Sequence, residues 1–269
     1  MTNLKHANLL PALGVVYDDM NAAFGCRQVA RMAGFVMLSD NVWKLCVRYG
    51  SIERTTGLLL EAIADSKLQV RDMRLSDSYC SRALILVMGD PSKAPSLCQS
   101  FGSLAYLELN CMYALLPQKK SLDPFLRVLE VSKTLQHLSL FHITGQVKIR
   151  DLFAKIATIC SRHELKSVKL VNGSVTAGEI RMLLDPHKPT LESLKLDDLD
   201  AFNDQSDSYT FRSLYSTLAE DFTLREFTLK DLWEMRTGAL EYDVQFEGVE
   251  EVRKGLENLT KRTGLFKQD

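Results

Sequence analysis

The chain has 269 residues, 46% of them hydrophobic and 25% charged, with 33 Lys and Arg against 34 Asp and Glu for a formal net charge of -1. That balance belongs to a folded globular chain and excludes a disordered one, and near-neutrality supplies no general attraction to nucleic-acid phosphates or anionic lipid. The longest apolar runs, such as "ALILVMG" from Ala83, fall far short of the roughly 20 residues that cross a bilayer, so no membrane partner is expected.

The N-terminus, "MTNLKHANLLPALGVVYDD", breaks its short apolar stretch with Pro11 and follows it with acidic residues where a secretory signal needs a small-residue cleavage site. It reads as the start of a cytoplasmic or nuclear protein. Residues 12–33 have the spacing of an amphipathic helix, and "VARMAGF" from Val29 keeps the first part of a pattern that becomes regular further on. We therefore take residues 1–50 as an N-terminal cap with a degenerate first repeat.

The regular pattern is the phrase L-x-x-L-x-L. It occurs as "VRDMRL" from Val70, "LAYLEL" from Leu104, "LQHLSL" from Leu135, "LKSVKL" from Leu165, "LESLKL" from Leu191 and "LREFTL" from Leu224, at separations of 34, 31, 30, 26 and 33 residues. In extended chain, alternate side chains point to opposite faces, so the second and third apolar positions point inward together and the residues beside them outward. Each phrase predicts one short strand.

Helical spacing fills the intervals: Leu122, Phe125, Leu126 and Leu129; Ile149, Leu152, Phe153, Ile156 and Cys160; Phe211, Leu214, Tyr215 and Leu218. These sets follow the i, i+3, i+4, i+7 rule for one apolar helix face. Thr176 stands three residues before Glu179, the capping-box spacing, and Ser121 precedes Asp123 and Pro124 at another helix start. The turn-forming residues of "VNGS" and "DDLDAFND" are expected to end the strands before them. Val249, Val252, Leu256 and Leu259 mark a final helix, so residues 51–235 form the repeat region and 236–269 a C-terminal cap.

Alternation of strand and helix also describes a doubly wound nucleotide-binding sheet. Such a sheet needs continuous apolar strands, covered on both faces, and a Gly-rich turn after the first strand. Neither is present. "LESLKL" and "LKSVKL" place Lys between inward residues, which suits an α/β sheet with helices on one face and water on the other. The third, fifth and seventh positions of each phrase then share the open face. Among them Arg74, Tyr106, Glu108, His137, Phe141, Lys169, Lys195 and Lys230 form the expected protein-binding set, because exposed aromatic and basic groups concentrate binding energy.

These strands, helical returns and spacings of about 30 residues resemble leucine-rich-repeat proteins of the ribonuclease-inhibitor-like kind, especially the repeat half of F-box and leucine-rich-repeat proteins. "KPTLESLKLDDL" and "YDDMNAAFGCRQVARMAG" resemble, more loosely, divergent repeat proteins of filamentous fungi. The resemblance covers about residues 65 to 235. It implies a horseshoe-shaped solenoid with parallel strands on the concave side and helices on the convex side. The family's ninth position, Asn or Cys, is here Ser78, Met112, Ile143, Gly173, Leu199 and Leu232, so the repeats are irregular. Leu10 and Pro11 are all that matches the start of an F-box.

No G-x-S-x-G, G-x-x-x-x-G-K-S/T, H-E-x-x-H or G-x-G-x-x-G motif occurs. Six cysteines contain no C-x-x-C pair, and His137 and His142 would face opposite sides of one extended segment. Asp197, Asp198, Asp200, Asp204 and Asp207 lack the Gly and Glu of a calcium loop and read as a solvated rim loop. No catalytic residue, cofactor or metal is expected. Residues 148 to 169 hold six basic residues against two acidic, while residues 192 to 207 hold six acidic against Lys195. The expected function is a non-enzymatic protein-interaction module, the substrate-recognition part of an F-box-type ubiquitin-ligase receptor with a Skp-type adaptor and a substrate protein as partners. The alternatives are a regulator or inhibitor of a GTPase or nuclease acting through the concave face, and an unrecognised α/β enzyme.

Overall fold

A computed structural model describes residues 51–75, 78–111, 122–143, 146–202, 210–234 and 243–262. Along the chain these residues form α1 (Ser51–Ser66), β1 (Asp72–Leu75), α2 (Ser78–Gly89), α3 (Ala94–Phe101), β2 (Tyr106–Asn110), α4 (Leu122–Val131) and β3 (His137–Ile143). There follow α5 (Gln146–Cys160), β4 (Ser167–Thr176), α6 (Ala177–Leu184), β5 (Ser193–Phe202), α7 (Phe211–Asp221), β6 (Glu226–Glu234), β7 (Val244–Glu247) and α8 (Val249–Arg262). All six phrases lie on strands. The expected N-terminal cap, the "VARMAGF" segment, Trp43, Cys26 and Cys46 fall outside the described residues.

The seven strands lie side by side in chain order, the first six parallel and β7 antiparallel to β6. With eight helices among the described residues, this is a mixed α/β fold built on a mostly parallel sheet. The helices follow the same order, α4 packing on α5, α5 on α6, α6 on α7 and α7 on α8. Sheet pairing repeats almost atom for atom. The carbonyl of Arg71 accepts from the amides of Ala105 and Tyr106, that of Ala105 from Gln136 and His137, and that of Gln136 from Lys166 and Ser167. Lys166 likewise accepts from Glu192 and Ser193, and Glu192 from Arg225 and Glu226. Before two of the phrases a threonine hydroxyl adds a further bond, Thr134 to the carbonyl of Leu104 and Thr190 to that of Leu165.

Burial follows the alternation. Leu107 and Leu109, Leu138 and Leu140, Val168 and Leu170, and Leu194 and Leu196 are all buried on one face of the sheet. The helices cover that face with Phe125, Leu129, Leu152, Phe153, Ile156, Leu214, Tyr215 and Leu218, each fully buried. At the head of α6 the capping box is complete: the amide of Glu179 donates to Thr176 Oγ1 at 3.1 Å, and the amide of Thr176 to Glu179 Oε2 at 2.8 Å.

Strand ends depart from the sequence-based expectation. "VNGS" does not end β4, which runs on to Thr176, and "DDLDAFND" contributes most of its residues to β5, which runs on to Phe202. The chain does bend there, through one residue in each strand. His142, Asn172, Asp198 and Asp231 have φ of 52°, 52°, 52° and 48°. All four are the eighth position of their phrase, and His, Asn and Asp are the non-glycine types that enter the left-handed region most readily. The ladder passes directly from Phe141↔Val171 to Ile143↔Gly173 and from Val171↔Asp197 to Gly173↔Leu199.

The bend turns the ninth residue inward where simple alternation would send it out. Ile143, Gly173, Leu199 and Leu232 are all buried. An apolar row therefore runs across the strands at this position. Packing in this row is tight: a Cβ on Gly173 would stand 2.6 Å from the Ile143 carbonyl oxygen.

Two further expectations are corrected by this bend. Asp197, Asp198 and Asp200 belong to β5 and not to a rim loop, while Asp204 and Asp207 lie outside the described residues. His137 and His142 do not share an unbroken extended segment, since His142 is itself the left-handed residue.

At the C-terminal end Val252, Leu256 and Leu259 of α8 are buried as the spacing predicts, but Val249 is 37% exposed. The sequence did not announce β7. Its Phe246 stacks on Phe227 with ring centroids 6.4 Å apart and lies so close to Gly255 that a Cβ there would meet Phe246 Cε2 at 2.3 Å. That short antiparallel strand and the helix behind it close the described sheet on one side.

Candidate functional site

The sheet's other face is polar and half-buried, and its register sets side chains in rows across the strands. One row is Asp72, Tyr106, His137, Ser167, Ser193 and Glu226; the next is Arg74, Glu108, Ser139, Lys169, Lys195 and Thr228. A third holds Asn110, Phe141, Val171, Asp197 and Lys230. All eight residues singled out from sequence stand in these rows. Adjacent strands are about 4.8 Å apart, so neighbours within a row stand side by side.

On β1 to β3 the neighbours form one cluster. Asp72 holds Arg74 through Nε to Oδ1 at 3.2 Å and Nη2 to Oδ2 at 3.2 Å, a two-pronged pair. This hydrogen-bonded carboxylate pushes the pKa of the guanidinium up. The same guanidinium lies 4.6 Å from the centre of the Tyr106 ring, and Tyr106 stacks on His137 with centroids 5.9 Å apart and planes 29° apart. Tyr106 Oη donates to Glu108 Oε2 at 3.3 Å. Burial pushes the phenol pKa of Tyr106 up, opposed by a hydrogen bond with Ser139. Burial pushes the His137 imidazole down, the charge of Lys166 pushes the same way, and Asp72 opposes them. His137 is therefore neutral near pH 7, which lets it stack as a flat polarisable ring.

Phe141 stands apart from the Tyr106–His137 stack. It stands in the third row, where Lys169 Nζ lies 5.0 Å from its ring centre. Lys195 pairs with Asp197 at 3.6 Å and Lys230 with Asp231 at 3.7 Å. Sequence reasoning left Asp72 and Lys166 out of the expected set, although Asp72 fixes Arg74. The "DMR" spacing carries that signal, because residues two apart on a strand share a face.

No family model matches the chain, nor does any curated protein or solved structure. The site's chemistry thus rests on its own geometry. Among the described residues there is no group of three or more His, Cys, Asp or Glu placed to hold a metal ion. Cys80, Cys98, Cys111 and Cys160 stand outside any disulfide, and burial pushes Cys111 and Cys160 up to about 12, which leaves them protonated and unreactive. No helix among the described residues is long and apolar enough to cross a membrane. An open groove between α1 and α2 is lined by Gly57, Leu58, Ala83, Leu86 and Val87 with Glu53, Arg54 and Glu61 at its rim.

Proposed function

We propose that the chain is a leucine-rich-repeat solenoid acting as a non-enzymatic protein-interaction module, with the polar sheet face as its binding surface. The chain-ordered parallel ladder, the backbone bonds repeated from strand to strand and the single apolar face all support this architecture. One observation carries the function: the Asp72–Arg74–Tyr106–His137 stack stands on the sheet face opposite the helices. A rigid aromatic group braced by an arginine is the composition of an interface anchor, since little conformational entropy remains to be lost on binding. Recognition of a substrate within an F-box-type receptor, with a Skp-type adaptor as second partner, is the specific role we propose on the strength of the sequence resemblance.

Capture of the tagged chain's partners from native extract tests this reading. The Arg74→Glu/Tyr106→Ala variant should lose the substrate protein and keep the adaptor, while Arg253→Glu, exposed on α8, keeps both. Identical partners on all three forms would place the binding surface elsewhere.

A further inference from the structure

Like charges side by side in a sheet row are unfavourable, and this face holds one such pair at its centre. Lys169 and Lys195 are register partners on β4 and β5, which puts their Cα atoms about 4.8 Å apart on the same face. Lys169 has no carboxylate within 4.0 Å among the described residues, its ammonium resting instead over Phe141. Lys195 has only Asp197 at 3.6 Å, with its side chain still 38% exposed. Strands β3 and β4 contain no acidic residue at all. Ser167, beside Lys169 on the same strand, contributes a further hydroxyl, and Lys166 adds charge close enough to affect His137.

We propose that this step in the sheet binds a carboxylate of an acidic peptide segment on a protein partner, the two ammonium groups bridging its oxygens and Phe141 and Val171 receiving a neighbouring apolar side chain. Two ammonium groups rising from adjacent strands fit one two-oxygen anion between them. The surrounding charge selects the ligand class. Glu108 stands two strands from Lys169 in the same row, and Asp197 and Glu226 stand one row from Lys195 on β5 and β6, so a continuous polyanion would be repelled on both sides of the step. An isolated carboxylate on an otherwise neutral extended chain meets the two lysines and shares Lys195 with Asp197. This inference rests on the sheet face being an interaction surface.

The test is fluorescence anisotropy on the purified full chain with three labelled probes: an eight-residue oligoglutamine carrying one central glutamate, the all-glutamine peptide of equal length and an eight-nucleotide oligothymidylate. The single-glutamate peptide should bind, weaken as salt rises, and lose at least tenfold in affinity with Lys169→Gln/Lys195→Gln but not with Lys254→Gln/Lys261→Gln on α8. Three results would overturn the proposal: no binding of the single-glutamate peptide, equal affinity in the Lys169→Gln/Lys195→Gln variant, or tighter binding of oligothymidylate. If the single-glutamate peptide fails while Arg74→Glu/Tyr106→Ala still removes a partner from extract, the acidic-ligand assignment falls and the interaction surface stands.

Discussion

Two glycines show how much a single methyl group means at different places in this chain. At Gly173 an added Cβ would press on the backbone of Ile143 at 2.6 Å and on its Cβ at 2.8 Å, so Gly173→Ala should destabilise by about 1–3 kcal/mol. Gly57, inside α1, has nothing within 4 Å of the same position, so Gly57→Ala should stabilise by about 0.5–1 kcal/mol. Urea midpoints of the two variants check both signs together. His187 supplies a pH effect. It is fully buried beside His163, and neither ring makes a hydrogen bond of good geometry, although the His163 carbonyl lies close enough to oppose the shift slightly. Burial, aided by the charge of His163, pushes His187 from 6.5 down to about 4, and burial lowers His163 as well.

A depressed histidine favours the neutral folded form. Its contribution is complete above pH 6.5 and is lost as pH falls from there through about 4, a loss on the order of 3 kcal/mol. Unfolding free energies measured at pH 7 and pH 4 should therefore fall less steeply for His187→Leu than for the wild type. Parallel slopes would show that His187 is not held neutral.

For the strands and helices, the left-handed residue at the eighth position of the last four phrases is the device that keeps the long strands curved onto their core. Asn172→Val should cost about 1–2 kcal/mol, because a β-branched side chain is strained at φ 52°, whereas Asn172→Gly should cost little. Calorimetric midpoints separate them, and equal losses would mean that the Asn side chain matters more than the backbone. In α6, only eight residues long, the capping box satisfies two amides that would otherwise be orphaned. Thr176→Ala should lower stability by about 1 kcal/mol in a denaturant titration.

Across the whole molecule, pairing is uneven. β4 and β5 are ten residues each and pair nearly end to end, whereas β1 has four residues and, among the described residues, pairs only with β2. Elements that touch only their neighbours in chain order open locally. Amide exchange should accordingly be slowest in β4 and β5 and fastest in β1, and uniform protection would instead indicate one cooperative unit. The C-terminal side is held differently, by the aromatic series Phe211, Tyr215, Phe227 and Phe246 running from α7 through β6 to β7.

The sequence by itself determined the period. Buried leucines at fixed offsets specify six strands and the face on which Arg74, Tyr106 and Lys169 stand, because side-chain alternation is a local property of extended chain, and the spacing of apolar residues specifies α4, α5, α7 and α8. The left-handed bends were legible too, in the recurrence of His142, Asn172, Asp198 and Asp231 at one position, but their residue types suit a turn equally well. Only the tertiary structure decided that the chain continues as strand there, since that depends on whether the ninth residue finds a core to enter. It also decided the pairings within the site. Arg74 over Tyr106, Tyr106 on His137 and Lys169 beside Lys195 join residues about 26 to 32 positions apart in sequence, and such meetings are set by strand register, to which no local pattern in any one phrase is sensitive.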